Sequence, residues 1–143
     1  MLIGETDHGI ITTYQVLEEN PADNGLLKPT VRVHHRLFPK RLQAVGGDRG
    51  FYSSANEVWL KQGGVKYVSI PVRGKASEER LREQRQAWFR HLQRFRAGSE
   101  ARISLLKRKC GLRQSLMRGD NGTDIWVGQV VFAHNLWQAA RIG

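Results

Sequence analysis

RLQAVGGDRGFYSSANEVWLKQGGVKYVSIPV, residues 41–72, is the stretch that decides the fold class. Arg41 to Gly47 is a short extended segment ending in Gly46-Gly47, and Asp48 follows at its carboxyl end. Ser54-Ala55-Asn56-Glu57 has the capping-box pattern, so a helix carrying Val58, Trp59 and Leu60 should begin there and stop at Gly63-Gly64. Val65 to Val72 is β-branched and apolar and returns as a strand. Strand, helix, strand in this length matches a right-handed crossover, so the two strands should run parallel. The fold class is α/β.

Working outward, Leu2–Gly4 and Gly9–Leu17 are β-prone and flank Thr6-Asp7-His8-Gly9, a run with turn chemistry, so they predict a hairpin. Turn formers from Asn20 to Gly25 end it. Leu27, Val31, His34 and Phe38 then recur at helical spacing, with Pro29 expected near the first turn, where its missing N–H costs little. On the other side, Ser77-Glu78-Glu79 starts a helix. Leu81, Trp88, Leu92 and Phe95 give it an aromatic seam, and it either continues through Ala97-Gly98 or bends there before ending near Gly111. Trp126, Val127, Val130, Val131 and Leu136 predict a last helix packed across the sheet.

The chain has 143 residues, 40% of them hydrophobic, which suits one domain over residues 1–143 with a real core. No apolar run approaches a bilayer span, so no membrane partner is expected. The start, MLIGETDHG, lacks a basic and apolar leader, and a single cysteine, Cys110, excludes an internal disulfide and a Cys-based zinc cage. A cytoplasmic setting follows. The charge is more telling: 23 Lys+Arg face 13 Asp+Glu, for a net +10. Residues 72–118 hold 14 of the bases and only 4 of the acids, whereas the rest is balanced at 9 and 9. The surface expected to face a polyanion is therefore encoded in one third of the chain, and phosphate is the natural partner.

Two carboxylates stand out. Asp48 follows a buried-looking strand, and in open α/β sheets ligands collect at the carboxyl ends of strands. Glu100 lies on the basic helix with Arg96 four residues before it and Lys107 seven after it, so one helical face reads base, acid, base. Such a carboxylate is either a structural ion pair or a metal ligand among phosphate-gripping cations. Other conspicuous residues read as packing. His34 and His35 are adjacent on a helix and point apart, Cys110 is a lone helix cysteine, and Trp59, Trp126 and Trp137 are core candidates. Trp88, Phe89 and Phe95 could stack on unpaired bases but have the spacing of a core seam.

Asp48-Arg49-Gly50-Phe51-Tyr52-Ser53 resembles the element around the second catalytic aspartate of DDE transposases from bacterial insertion sequences. Arg96, Glu100 and Lys107 are similar to the last three positions of that superfamily's Tyr-x2-Arg-x3-Glu-x6-Lys signature, with Gln93 where tyrosine is usual. The resemblance extends from Gly9-Ile10-Ile11 through Asn20-Pro21-Ala22-Asp23 to Trp126-Val127-Gly128 and Asn135-Leu136.

The resemblance implies an RNase H-like mixed sheet flanked by helices. The two N-terminal strands match the second and third of that fold, so its first strand, with the first catalytic aspartate, is expected before Met1. Asp7 and Asp23, the acidic alternatives upstream of Asp48, read as turn and loop or cap residues. The resemblance further implies metal-dependent DNA strand cleavage and strand transfer. Asp48 and Glu100 would be catalytic metal ligands for Mg²⁺ or Mn²⁺, and Arg96, Lys107, Arg49 and Arg102 would contact DNA backbone at transposon ends and target. With two of three carboxylates, weak metal binding and little cleavage by the chain alone are expected. The alternative is a non-catalytic DNA-binding remnant that self-associates or pairs with a full-length transposase.

Overall fold

The computed structural model describes residues 1–17, 22–40, 42–112 and 117–142. They form two compact units, Met1–Asn20 with Gly98–Gly143 and Pro21–Ala97, and the architecture is mixed α/β.

The first unit opens with strands β1 (Leu2–Glu5) and β2 (Ile11–Gln15), paired antiparallel with a register shift at Gly4/Glu5. The turn is held by Thr6 N–H to Ile10 O and Gly9 N–H to Thr6 O, both 2.9 Å, with Gly9 at φ +74°, a left-handed conformation that favours glycine. The predicted hairpin is present, with Asp7 in its turn. Helix α5 (Asp120–Ile142) packs on β2, and Ile11, Leu106, Val127, Val130 and Val131 form the buried core. The contact is polar as well as apolar. Asn135 accepts from Ile11 N–H and donates to Ile11 O, each at 2.8 Å, so one amide satisfies both backbone groups of a buried strand residue. Gly128 leaves room for the Tyr14 hydroxyl, which a Cβ there would meet at 2.6 Å. Leu136 and Trp137 are both more than half exposed, and Arg141 stands over the Trp137 ring at 4.6 Å. The expectation that these two pack in the core is corrected: on α5 they fall off the stripe made by Val127, Val130 and Val131.

The second unit contains helix α1 (Asp23–Leu37), strand β3 (Ala44–Gly46), a 3-10 turn (Arg49–Phe51), helix α2 (Ser54–Gln62), strand β4 (Tyr67–Ser69) and helix α3 (Glu78–Gln84). It also holds the start of helix α4 (Ala87–Lys109), whose residues from Gly98 on belong to the first unit. β3 and β4 pair in parallel through Ala44↔Tyr67, Val45↔Val68 and Gly46↔Ser69, as the crossover length predicts. The four described strands therefore make two separate two-stranded ladders, one antiparallel and one parallel. Leu27 and Val31 of α1 and Leu60 of α2 close over Val65, Val68 and Ile70 to form the core.

Three local expectations shift. The cap of α2 is Ser53, whose Oγ accepts from Asn56 N–H at 3.1 Å, so the pattern is displaced by one residue. Glu57 is released from capping and instead binds Lys61 and Arg80 at 2.7 and 2.9 Å. Pro29 lies inside α1, two turns from its start, where it deprives Gly25 O of a helical donor. Finally, the basic helix is broken at Arg85-Gln86 into α3 and α4, whereas Ala97-Gly98 is helical throughout. Leu81, on the separate α3, is 41% exposed and does not join the aromatic seam. Asn20, Pro21, Arg41 and residues 113–116 of the expected loops and segments lie outside the described residues.

Candidate functional site

Asp48 is exposed just beyond the carboxyl end of β3. It caps the 3-10 turn, with Oδ1 accepting from Arg49 N–H at 2.7 Å. Among the described residues no cation pairs with this carboxylate, so its second oxygen is open to a ligand.

The backbone around it is held from four directions. Gly47 N–H donates to Ser69 O at 3.0 Å, continuing the parallel ladder. From α4, Gln93 Nε2 donates to Ser69 O, Ser69 Oγ and Gly47 O at 2.7, 3.0 and 3.2 Å, while the buried Ser69 Oγ donates to Phe89 O at 2.9 Å. Arg73 donates to Arg49 O and Gly50 O at 3.3 and 3.1 Å. Asn56, buried on α2, donates to Phe51 O at 3.1 Å and Asn24 O at 2.7 Å. Gly50 lies against the Asp23 carboxylate so closely that a Cβ there would collide with it, which explains a glycine at a position with no special φ. Asp23 is the first residue of α1 and Asp7 a turn residue, in agreement with their sequence contexts.

Arg49 is exposed beside Asp48, and Arg96 is half-buried on α4 one turn beyond Gln93. These belong to the second unit, whereas Glu100, Arg102 and Lys107 belong to the first. Glu100 is exposed on α4. Lys107 is exposed in the last turn with Arg108 and Lys109, where cations also complement the negative helix end. Arg102 is engaged within its own unit. It forms an ion pair with Glu5, whose side chain is 3% exposed, and Ser99 Oγ completes that cluster. Gln93, Arg73, Asn56 and Glu5 are organisers that sequence reasoning does not pick out. All act on backbone or on partners distant in sequence, and only the Gln93 departure from the signature hints at one of them.

A family model of the transposase DDE domain matches residues 2–136. The chain belongs to the DDE transposase family. No curated protein and no solved structure gave a match. Members of this transposase family act on DNA in transposition and generally use a divalent metal. In this DDE transposase chain no three His, Cys, Asp or Glu residues cluster as a metal site among the described residues. Carboxylates such as those of Asp48 and Glu100 offer hard oxygen donors, the type Mg²⁺ takes one or two at a time together with its own waters. Donor chemistry therefore fits such an ion. No helix among the described residues is long and apolar enough to cross a membrane.

His34 is partly buried on α1. Burial, and secondarily the charge of neighbouring His35, push its pKa below the usual 6.5. Its ring stacks on Phe38 at 5.0 Å and meets His35 edge-on at 6.2 Å.

Proposed function

We propose that residues 1–143 are catalytic-domain sequence of a DDE transposase with an RNase H-like arrangement, serving metal-dependent DNA strand cleavage and strand transfer. The observation that carries this reading is Asp48, an exposed carboxylate without a cation partner among the described residues, on a loop held by Gln93, Arg73 and the Gly50–Asp23 contact. A surface aspartate serving only solubility needs no such scaffold, whereas a ligand must be presented in a fixed direction. The order of hairpin, crossover and later helices agrees with that arrangement.

Asp48 and Glu100 are assigned as metal-ligating carboxylates. When bound there, Mg²⁺ or Mn²⁺ would supply activation of the attacking water or hydroxyl and would neutralise charge developing on the phosphodiester. Arg96 and Lys107 hold backbone phosphates, positioning DNA without reading its sequence, and Arg49 assists beside Asp48. Arg102 contributes less, because Glu5 already satisfies its charge. Asp7 in the hairpin turn and Asp23 in the first turn of α1 keep turn and helix-start roles and are not assigned as ligands. The second reading, a DNA-binding chain that regulates or pairs with a full-length transposase, is favoured by the basic charge of residues 72–118.

The test is Mn²⁺ titration followed by NMR line broadening, with Asp48→Asn and Glu100→Gln as controls. Broadening around both residues that each substitution abolishes supports the assignment. No broadening at millimolar Mn²⁺, together with salt-dependent DNA binding, would leave only the second reading.

A further inference from the structure

We propose that the α1 stripe of Lys28, Arg32 and Arg36, whose last two members line the groove between α1 and α2, is a second DNA-backbone site that takes phosphates of a duplex independently of the cations on α4. The inference rests on the reading that the chain acts on DNA. Outside residues 72–118 the charges balance in number, yet the fold separates them. Residues 24–47 contain Lys28, Arg32, Arg36, Lys40 and Arg41 and no acidic residue.

On α1, Lys28, Arg32 and Arg36 stand at i, i+4 and i+8, a single stripe about 12 Å long. Like charges one turn apart repel, and among the described residues no carboxylate pairs with any of them. Glu57, on the neighbouring α2, binds Lys61 and Arg80 instead. Instead the stripe is steadied by an aromatic ring. Lys28 Nζ and the Arg32 guanidinium stand 5.7 and 6.0 Å from the centroid of Trp59 on α2, within cation–π range.

Arg32, His35, Arg36, Trp59 and Gln62 line an open groove of about 520 Å³ floored by Val31. Cations held at regular intervals on a rigid helix, with no acid among the described residues to relieve them, are complementary to a linear polyanion. In a chain whose family acts on DNA, that polyanion is the duplex backbone.

The experiment measures binding of the 143-residue chain to a mixed-sequence duplex by fluorescence anisotropy as a function of salt. The parent is compared with Lys28→Gln/Arg32→Gln/Arg36→Gln and with Arg96→Gln/Lys107→Gln. Removing one phosphate-neutralising cation lowers the log–log salt slope by about 0.9, so the triple variant should fall short of the parental slope by roughly 2 to 3. Arg32→Glu and Arg36→Glu, at exposed positions, carry the same test should the triple variant fold poorly. A triple variant with the parental slope, while the α4 variant is flattened, overturns the proposal and leaves the functional reading standing. A parent with no salt-dependent DNA binding overturns both. Weaker binding of the triple variant to anionic vesicles or acidic peptides, with the DNA slope unchanged, would show that the occupant is wrong.

Discussion

Gln93→Leu probes whether the loop bearing Asp48 is held from α4. Leucine roughly conserves the volume but removes the amide that reaches Gly47 O, Ser69 O and Ser69 Oγ. Two of those acceptors keep other interactions: Ser69 O still receives Gly47 N–H, and Ser69 Oγ still donates to Phe89 O. The group stranded is the carbonyl of buried Gly47, and leaving such an acceptor unsatisfied costs about 1–3 kcal/mol. Urea unfolding should show that loss as a lower midpoint with an unchanged slope, and thermal unfolding a Tm lower by roughly 3–10 °C for a chain of this size. Amide exchange at Gly47 and Arg49 should accelerate in step. Gln93→Glu sharpens the test, because its carboxylate would face carbonyl oxygens and its folded pKa would rise above its unfolded value. The native state then binds more protons than the unfolded state, so the variant regains stability as pH falls toward and below that raised pKa. A Gln93→Leu protein within about 0.5 kcal/mol of the parent, the scatter of ordinary surface substitutions, or a Gln93→Glu protein with no recovery in acid, would refute the reasoning.

Gly50→Ala should destabilise the second unit by about 1–3 kcal/mol in urea unfolding, since its methyl group meets Asp23. Adding Asp23→Gly should restore most of the loss, and equal damage in single and double variants would locate the cause elsewhere. Glu5→Gln should cost about 2 kcal/mol, less than the roughly 3–5 typical of fully buried pairs because Arg102 keeps some solvent access. Far-UV circular dichroism during denaturation reads the loss, and a neutral result would mean the pair is replaceable by water. His34, with a pKa lowered in the folded state, lets the unfolded chain bind more protons as pH drops below about 6.5, so stability falls there and levels off below the folded pKa. His34→Gln should flatten that part of the pH–stability curve relative to the parent, and identical curves would contradict the burial argument.

Much is legible in the sequence by itself because it is governed by neighbours. The Thr6–Gly9 turn, the parallel relation of β3 and β4, Asp48 at the end of β3 and the start of α3 at Ser77 all follow from turn chemistry, capping and connection length. The motif order from Asp48 to Lys107 is enough to indicate the transposase family that the domain match then establishes. Other features need the tertiary structure. Capping energies of Ser53 and Ser54 are too similar to choose the start of α2, and Glu57 is settled by Arg80, distant in sequence. The break at Arg85-Gln86 carries no proline or glycine to announce it. Trp137 has helical spacing suited to a core, but the stripe actually buried is set by which face of α5 meets Ile11.

Charge shows the same division. Composition alone determines that the chain carries a polyanion-facing excess and where along the sequence it is densest. Only the folded chain decides which cations are spent internally, as Arg102 on Glu5 and Arg80 on Glu57, and which stand without a carboxylate partner among the described residues, as Lys28, Arg32 and Arg36 do. The physical reason is that net charge sums over sequence, whereas the field a partner meets depends on distances that secondary structure and packing create.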